Sequence, residues 1–211
     1  MHIIKLEQID STHTYLKDLI EAKGFKEPLC ILTEYQTNGI GSRGNSWNGK
    51  KGNLFFSFVF KMNFLPLDLP LQSVSIYVSY ILKKVLMNIG SDVWIKWPND
   101  FYLGNKKIGG TITTISKDLI YCGIGLNLND VDEQFGKLDV TIDIDNLLKN
   151  YFYELKKKIL WKQIFSDFKI EFQTSKKFHT TIDNQKVSLE NAMLNEDGSI
   201  QVNNKKVFSL R

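Results

Sequence analysis

Cysteine is scarce in this chain: two in 211 residues, Cys30 and Cys122. They lie far apart in apolar company and form no metal-ligand spacing, so each reads as a small buried hydrophobe. Long apolar runs are missing too. The stretch 53–60 stops at Lys61 and the stretch 73–82 at Lys83, short of membrane-spanning length. Acidic and polar residues from Glu7 to Ser11 exclude a secretory signal, so a reduced cytoplasm is the expected compartment. No run of like charges is long enough for a DNA-binding tail, and no internal repeat or low-complexity segment is present.

What is there fits a soluble globular protein. Hydrophobic content of 43% with 24% charged residues excludes wholesale disorder. The length allows one large domain and a small one. A net charge of +4 suits an anionic substrate such as a nucleotide without demanding nucleic acid.

Residues 3–6 alternate weakly as a first strand. Asp10-Ser11-Thr12 then signals a helix start, with Tyr15, Leu16, Leu19 and Ile20 at helical spacing and an end near Gly24. Capping alone accounts for Ser11 and Thr12, and His13 reads equally as an exposed first-turn residue. Residues 28–34 are apolar enough for a buried strand. The following stretch, 36–53, is rich in Gly, Asn, Ser and basic residues and too long for a tight turn. Its glycines would let backbone N–H groups approach an anion, while Arg43, Lys50 and Lys51 supply charge. It lacks the Gly-Lys-Ser/Thr ending of a Walker A loop. Trp47 within it suits stacking on a base or ring, or tucks in as a lone aromatic.

Residues 54–61 are hydrophobic on both faces and read as a central strand. Helical periodicity returns over 73–87, closing at Gly90. Residues 93–97 form a strand stopped by Pro98, which places Asn99 and Asp100 at a strand end, where sheet enzymes hold polar working groups. A hairpin follows, turning at Gly104-Asn105, its second arm running over 106–112 to Gly109-Gly110; an ordinary surface hairpin reads the same. Residues 112–115 read as the next strand. In the strand 119–128, alternate Gly123 and Gly125 leave one face bare for a close neighbour or a ligand. Residues 144–172 read as helical, and from about 174 short strands with turns form a small all-β appendage, the last strand at 207–210.

Four segments taken together resemble the biotin protein ligases: Asp10-Ser11-Thr12-His13, the 36–54 loop with Trp47 and a closing Gly-Asn-Leu, Lys96-Trp97-Pro98-Asn99-Asp100 with Lys107 and Gly109-Gly110, and Gly123-Ile124-Gly125-Leu126-Asn127. Lys-Trp-Pro-Asn-Asp is the most specific of them. The resemblance implies an α+β fold: a mixed, helix-flanked sheet of the biotin–lipoate ligase, class II synthetase-like type over 1–173, and a small β-barrel-like domain over 174–211. It also implies a two-step reaction. Biotin and ATP give biotinyl-AMP and pyrophosphate, and the biotinyl group then moves to a lysine of the biotin carboxyl carrier protein of acetyl-CoA carboxylase.

By the same match, Lys107 contacts the biotin carboxylate and α-phosphate, aided by Arg43 and Lys96. Asp100 receives or orients the carrier lysine. Ser11, Thr12, His13, Gln36, Gly39, Gly110 and Gly123 line the biotin site. Trp47, Asn99 and Asn127 contact the nucleotide, and Mg²⁺ enters on the phosphates rather than on a protein-only metal site. The chain departs from the family pattern where its loop usually carries arginines: Ile40, Ser42 and Asn45 stand there, leaving Arg43 alone. Lys50 and Lys51 are the expected compensation. Nothing like a helix-turn-helix precedes Ile3, so specific DNA binding is not expected; an exposed edge strand is compatible with a homodimer. Lipoate or octanoate transfer and a non-catalytic biotin- or nucleotide-binding protein are the rival readings.

Overall fold

The computed structural model describes residues 1–41, 46–47, 50–129 and 131–209. Strand β1 (His2–Leu6) leads through helix α1 (Thr12–Lys23) to β2 (Leu29–Thr33). Two short strands, β3 (Gly39–Ile40) and β4 (Ser46–Trp47), precede the long β5 (Leu54–Lys61) and helix α2 (Val74–Met87). A meander of β6 (Trp94–Lys96), β7 (Asp100–Leu103), β8 (Lys106–Ser116) and β9 (Leu119–Leu126) follows. Seven of these strands form one mixed sheet in the order β1-β2-β5-β9-β8-β7-β6, in which only β1 and β2 run parallel. Among the described residues no helix is long and apolar enough to cross a membrane.

The alternation in β5 divides the sheet's two faces. Phe56, Phe58 and Phe60 turn to the side covered by α2 and α3 (Ile144–Lys156), where Phe58 meets Tyr151 and Phe152 edge-on at 5.7 and 5.3 Å. This is the main core. Val59 on the other face packs with Leu16 and Ile20 of α1 in a smaller cluster. Lys61 on that face is exposed, and Phe55 and Ser57 are left for the site.

Three sequence expectations change. The helical stretch 144–172 is two helices, α3 and α4 (Trp161–Ser175), because Lys158 turns to φ +50° and the Asp68 carboxylate accepts from the backbone N–H groups of Trp161 (3.0 Å) and Lys162 (3.1 Å), fixing a new helix start. Residues 112–115 are not a separate strand but the far half of β8, which runs unbroken through Gly109-Gly110. The last strand lies earlier than 207–210. After β10 (His179–Ile182), β11 (Gln185–Ser188), β12 (Met193–Leu194) and β13 (Ile200–Val202), the positive φ values of Asn203 and Asn204 close a two-residue turn, so β14 (Lys205–Val207) starts at once. These strands make two small antiparallel sheets, and Ile182, Leu189, Ile200 and Val207 join the main core.

A β-bulge sits where β7 meets β8. Phe101 pairs with Gly109 but Tyr102 pairs with Lys107, so Ile108 is the extra residue. Ile108 lies in the main core, and a side chain at Gly109 would meet Leu126 and Phe101 of that core; two adjacent residues thus face the same way.

Candidate active site

The register of the sheet builds the floor of a cavity of about 450 Å³. One row across the strands runs Phe55, Gly125, Gly110, Asp100; the next runs Ser57, Gly123, Ile112. Small residues in the middle of both rows leave the depression. At Gly125 the bare face is occupied by protein: the Trp47 ring lies 3.2–3.3 Å from where a Cβ would stand. At Gly110 a Cβ would lie 3.2 Å from Asp100 Oδ1 and 3.6 Å from Lys107 Nζ, so the missing side chain makes room for an ion pair.

One end of the cavity is a buried hydrogen-bond network. Ser11 caps α1, its Oγ accepting from Thr14 N–H at 3.3 Å. Thr12 instead reaches across the fold. Its backbone N–H and its hydroxyl both donate to Gln36 Oε1, at 2.7 and 2.9 Å. With that proton committed, Ser57 Oγ donates to Thr12 Oγ1 at 2.8 Å. Gln36 is thereby oriented with its amide nitrogen free of this network. His13 is buried rather than exposed: Nε2 lies 3.2 Å from Thr114 Oγ1, and Nδ1 has no hydrogen-bond partner among the described residues. Burial first, and the nearby Lys17 second, lower its pKa to about 4, so the imidazole is neutral at pH 7.

The other end is ionic. Asp100 Oδ1 lies 2.6 Å from Lys107 Nζ and Oδ2 lies 3.4 Å from Lys96 Nζ. Burial pushes the Asp100 carboxyl up, but the two ammonium groups outweigh it and hold the group below the usual carboxylate range. Two lysines thus share this carboxylate. Lys107 also sits over the Trp47 ring, 5.5 Å from its centroid. At the cavity's edge Lys50 pairs with Asp132 at 3.2 Å. Asn127 donates from Nδ2 to Gly136 O at 3.0 Å, tying the 135–138 segment to the rim.

The structure brings Ser11, Thr12, His13, Gln36, Trp47, Asp100, Lys107, Gly110, Gly123 and Asn127 to one cavity. Gly39 stands behind its wall, against Gln36 and the Trp47 backbone. Lys96 and Asn99 line an adjoining cavity of about 350 Å³ that shares His13, Asp100, Lys107 and Ile112 with the first, and Asn99 Nδ2 donates to Thr111 O at 2.5 Å. Arg43, Ser42 and Asn45 lie outside the described residues. Lys50 lines the cavity, while Lys51 is exposed and does not. Sequence reasoning passed over Ser57, Thr114 and Asp132. Ser57 carried a signal, as the one polar residue in the apolar run 54–60.

The profile of the biotin/lipoate A/B protein ligase family matches residues 6–129. Over 130 residues the chain is 32% identical to the bifunctional ligase/repressor BirA of Escherichia coli, an alignment covering 58% of this chain and 39% of that protein. Over 110 residues it is 36% identical to biotin–protein ligase 2 of Arabidopsis thaliana, covering 48% of this chain and 33% of that one. The chain thus spans well under two thirds of these curated relatives. A Helicobacter pylori biotin acetyl coenzyme A carboxylase synthetase, solved with bound biotinylated ATP, superposes with a TM-score of 0.93 at 36% identity, covering 98% of this chain and 99% of that one.

Proposed function

The chain belongs to the biotin/lipoate A/B protein ligase family, and from that premise we propose that it is an AMP-forming ligase that joins biotin to a lysine of a biotin carboxyl carrier protein. The observation that carries this reading is the shape of the cavity: a buried Thr12–Gln36–Ser57 network at one end and the Lys107–Asp100 pair at the other, with Trp47 between. The network offers hydrogen bonds to a polar ureido ring, and Gly123, where a Cβ would stand 3.0–3.2 Å from Ile112, Ser57 and His13, keeps the cavity floor beside them low enough for an apolar bicyclic body. That arrangement seats the biotin carboxylate toward Lys107.

In the first step a carboxylate oxygen attacks the α-phosphorus; that O–P bond forms as the bond to pyrophosphate breaks. Two anions meet, and a cation fixed at the place where charge builds lowers the barrier. Lys107 supplies it. Mg²⁺ would travel with the nucleotide's phosphates, because the cavity's carboxylates among the described residues, Asp100 and Asp132, are already held by lysines. In the second step a lysyl amine attacks the acyl carbon and AMP leaves, with Asp100 positioned to receive the incoming ammonium. Trp47 and Asn127 are the nucleotide contacts in this reading, and Arg43 adds a further cation.

Biotin-dependent ATP–pyrophosphate exchange tests the reading directly. Exchange should require biotin, ignore lipoate, and fall about 10²–10³-fold in Lys107→Ala, the usual size of losing one preorganised donor to developing charge. Exchange driven by lipoate would move the chain to the other branch of its family. Absence of exchange with either acid, in folded protein that binds biotin, would make it a binding protein.

A further inference from the structure

Strand β6 ends the sheet and, among the described residues, pairs with β7 alone. Strand alternation turns the N–H groups of Ile95 and Trp97 to its open side, and both residues are buried, so donors left unmet there would be costly. Helix α4 meets them with side chains. Glu171 Oε1 accepts from Ile95 N–H and Ser175 Oγ accepts from Trp97 N–H, each at 3.0 Å. The spacings agree, because residues two apart on a strand and four apart on a helix both lie about 6–7 Å apart. One face of α4 thus stands where an eighth strand would pair. The acceptors are themselves fixed: the other Glu171 oxygen pairs with Lys83 Nζ of α2 at 2.9 Å, and Ser175 is buried.

Building on the ligase reading above, we propose that Glu171 and Ser175 are positioning residues for the reaction, acting through Asp100. Neither lines the cavity. The chain runs from β6 through a tight turn into Asp100, which pairs back with Lys96. The place of that strand end therefore sets where the Asp100 carboxylate meets Lys107, at 2.6 Å. Without its outer partners a strand of three residues keeps only its bonds to β7, and the turn loosens with it. Lys107 is the cation aimed at the charge that builds on the α-phosphate, and a small offset of its ammonium weakens the transition state more than the bound state. The Thr12–Gln36–Ser57 network rests on other elements, α1 and β5 among them, so the ring end of the cavity keeps its shape. Loss of either acceptor thus lowers kcat and spares the affinity for biotin.

The test compares wild type with Glu171→Ala, Glu171→Gln and Ser175→Ala, each also built on Asp100→Asn. Amide deuterium uptake reads the strand contact, and biotin-dependent pyrophosphate exchange reads the reaction. Glu171→Gln keeps an oxygen for Ile95 N–H and should stay within twofold of wild type in both. In the alanine variants the matching amide, Ile95 or Trp97, should take up deuterium about tenfold faster, and kcat should fall about tenfold with KM for biotin within twofold. On the Asp100→Asn background the same alanine changes should lower kcat by less than a further twofold, because the residue they act through is gone. Losses that multiply on that background overturn the proposal, as do a loss confined to KM, an unchanged kcat where the amide is released, and a lowered kcat where it stays protected. Equal losses in Glu171→Gln and Glu171→Ala also overturn it, since the Lys83 charge pair would then be the cause. Should Glu171→Ala not fold, Ser175→Ala, which removes a single oxygen, decides the matter. Wild type without biotin-dependent exchange refutes the ligase reading, and this proposal with it.

Discussion

Acidification should weaken this fold through His13, and by an amount the structure sets. The imidazole is buried at the start of α1, with Thr114 Oγ1 on Nε2, the Tyr121 ring edge-on at 6.5 Å, and Lys17 one helical turn away. No carboxylate faces it among these partners. A protonated ring would carry a buried charge and a second donor with no acceptor. Its pKa in the folded protein is lowered to about 4, whereas an unfolded chain takes up that proton near 6.5. Between those values the unfolded state binds more protons, so stability falls as pH falls through the window and levels off below about 4. At 1.36 kcal/mol per pH unit the whole gap is worth about 3 kcal/mol, of which about 2–3 kcal/mol is lost by pH 4.5. Urea denaturation of wild type and His13→Asn from pH 7 to 4.5 isolates this contribution, since other groups titrate alike in both. The wild type should lose stability relative to the variant as pH drops. Parallel curves, or an imidazole that titrates by NMR near 6.5, would refute the reasoning.

Asp100→Asn should act in a lower pH window. The Asp100 carboxyl is held below the usual range, so its contribution is complete above about pH 4 and lost as pH falls through the folded value; the wild-type advantage in urea, roughly 1.5–3 kcal/mol for charge-assisted bonds, should shrink only there. Lys50→Ala should speed dissociation of the acyl adenylate about tenfold, whereas Lys51→Ala leaves it unchanged, because only Lys50 borders the cavity. Equal effects in a stopped-flow chase would discard that distinction. The exposed Lys50–Asp132 pair itself should add under about 1 kcal/mol to the melt. Gly39→Ala would put a Cβ 2.5 Å from Trp47 O and 2.6 Å from Gln36 Nε2; it should cost about 1–3 kcal/mol and weaken biotin binding in calorimetry through the displaced amide.

Local chemistry made most of the fold legible. Turn residues, the apolar run 54–60 and the alternate glycines at 123 and 125 each announce a strand or its end from a few neighbours. Several misreadings share one cause, which is long-range pairing; the early start of β14 is an exception, set by the local Asn203-Asn204 turn. Nothing near Lys158 shows that Asp68, ninety residues earlier, will cap a helix at Trp161. Nothing near Ser57 shows that Thr12 and Gly123 will flank it. His13 sits on the first turn of a helix, where either face is open to it; only docking of α1 on the sheet decides for burial. The two functions of the 11–13 segment separate the same way, because capping is local and visible at Ser11 while the Thr12–Gln36 contact spans the fold.

The bulge between β7 and β8 carries a consequence for how this chain can vary in length. Delete Lys106, so that the arm pairs without its bulge, and ordinary alternation turns Ile108 to the cavity and Lys107 to the core; delete Ile108 itself and the extra residue is gone while Lys107 still faces the cavity. Hairpin tips commonly absorb insertions and deletions, and the turn at Gly104-Asn105 is free to do so. The residues after it are not equally free, since the pairing of Lys107 with Tyr102 decides whether the ammonium or an aliphatic side chain reaches Asp100. Deletion of Lys106 should therefore abolish exchange in a protein that still folds, whereas deletion of Ile108, which leaves Lys107 on the cavity face, should retain far more of it.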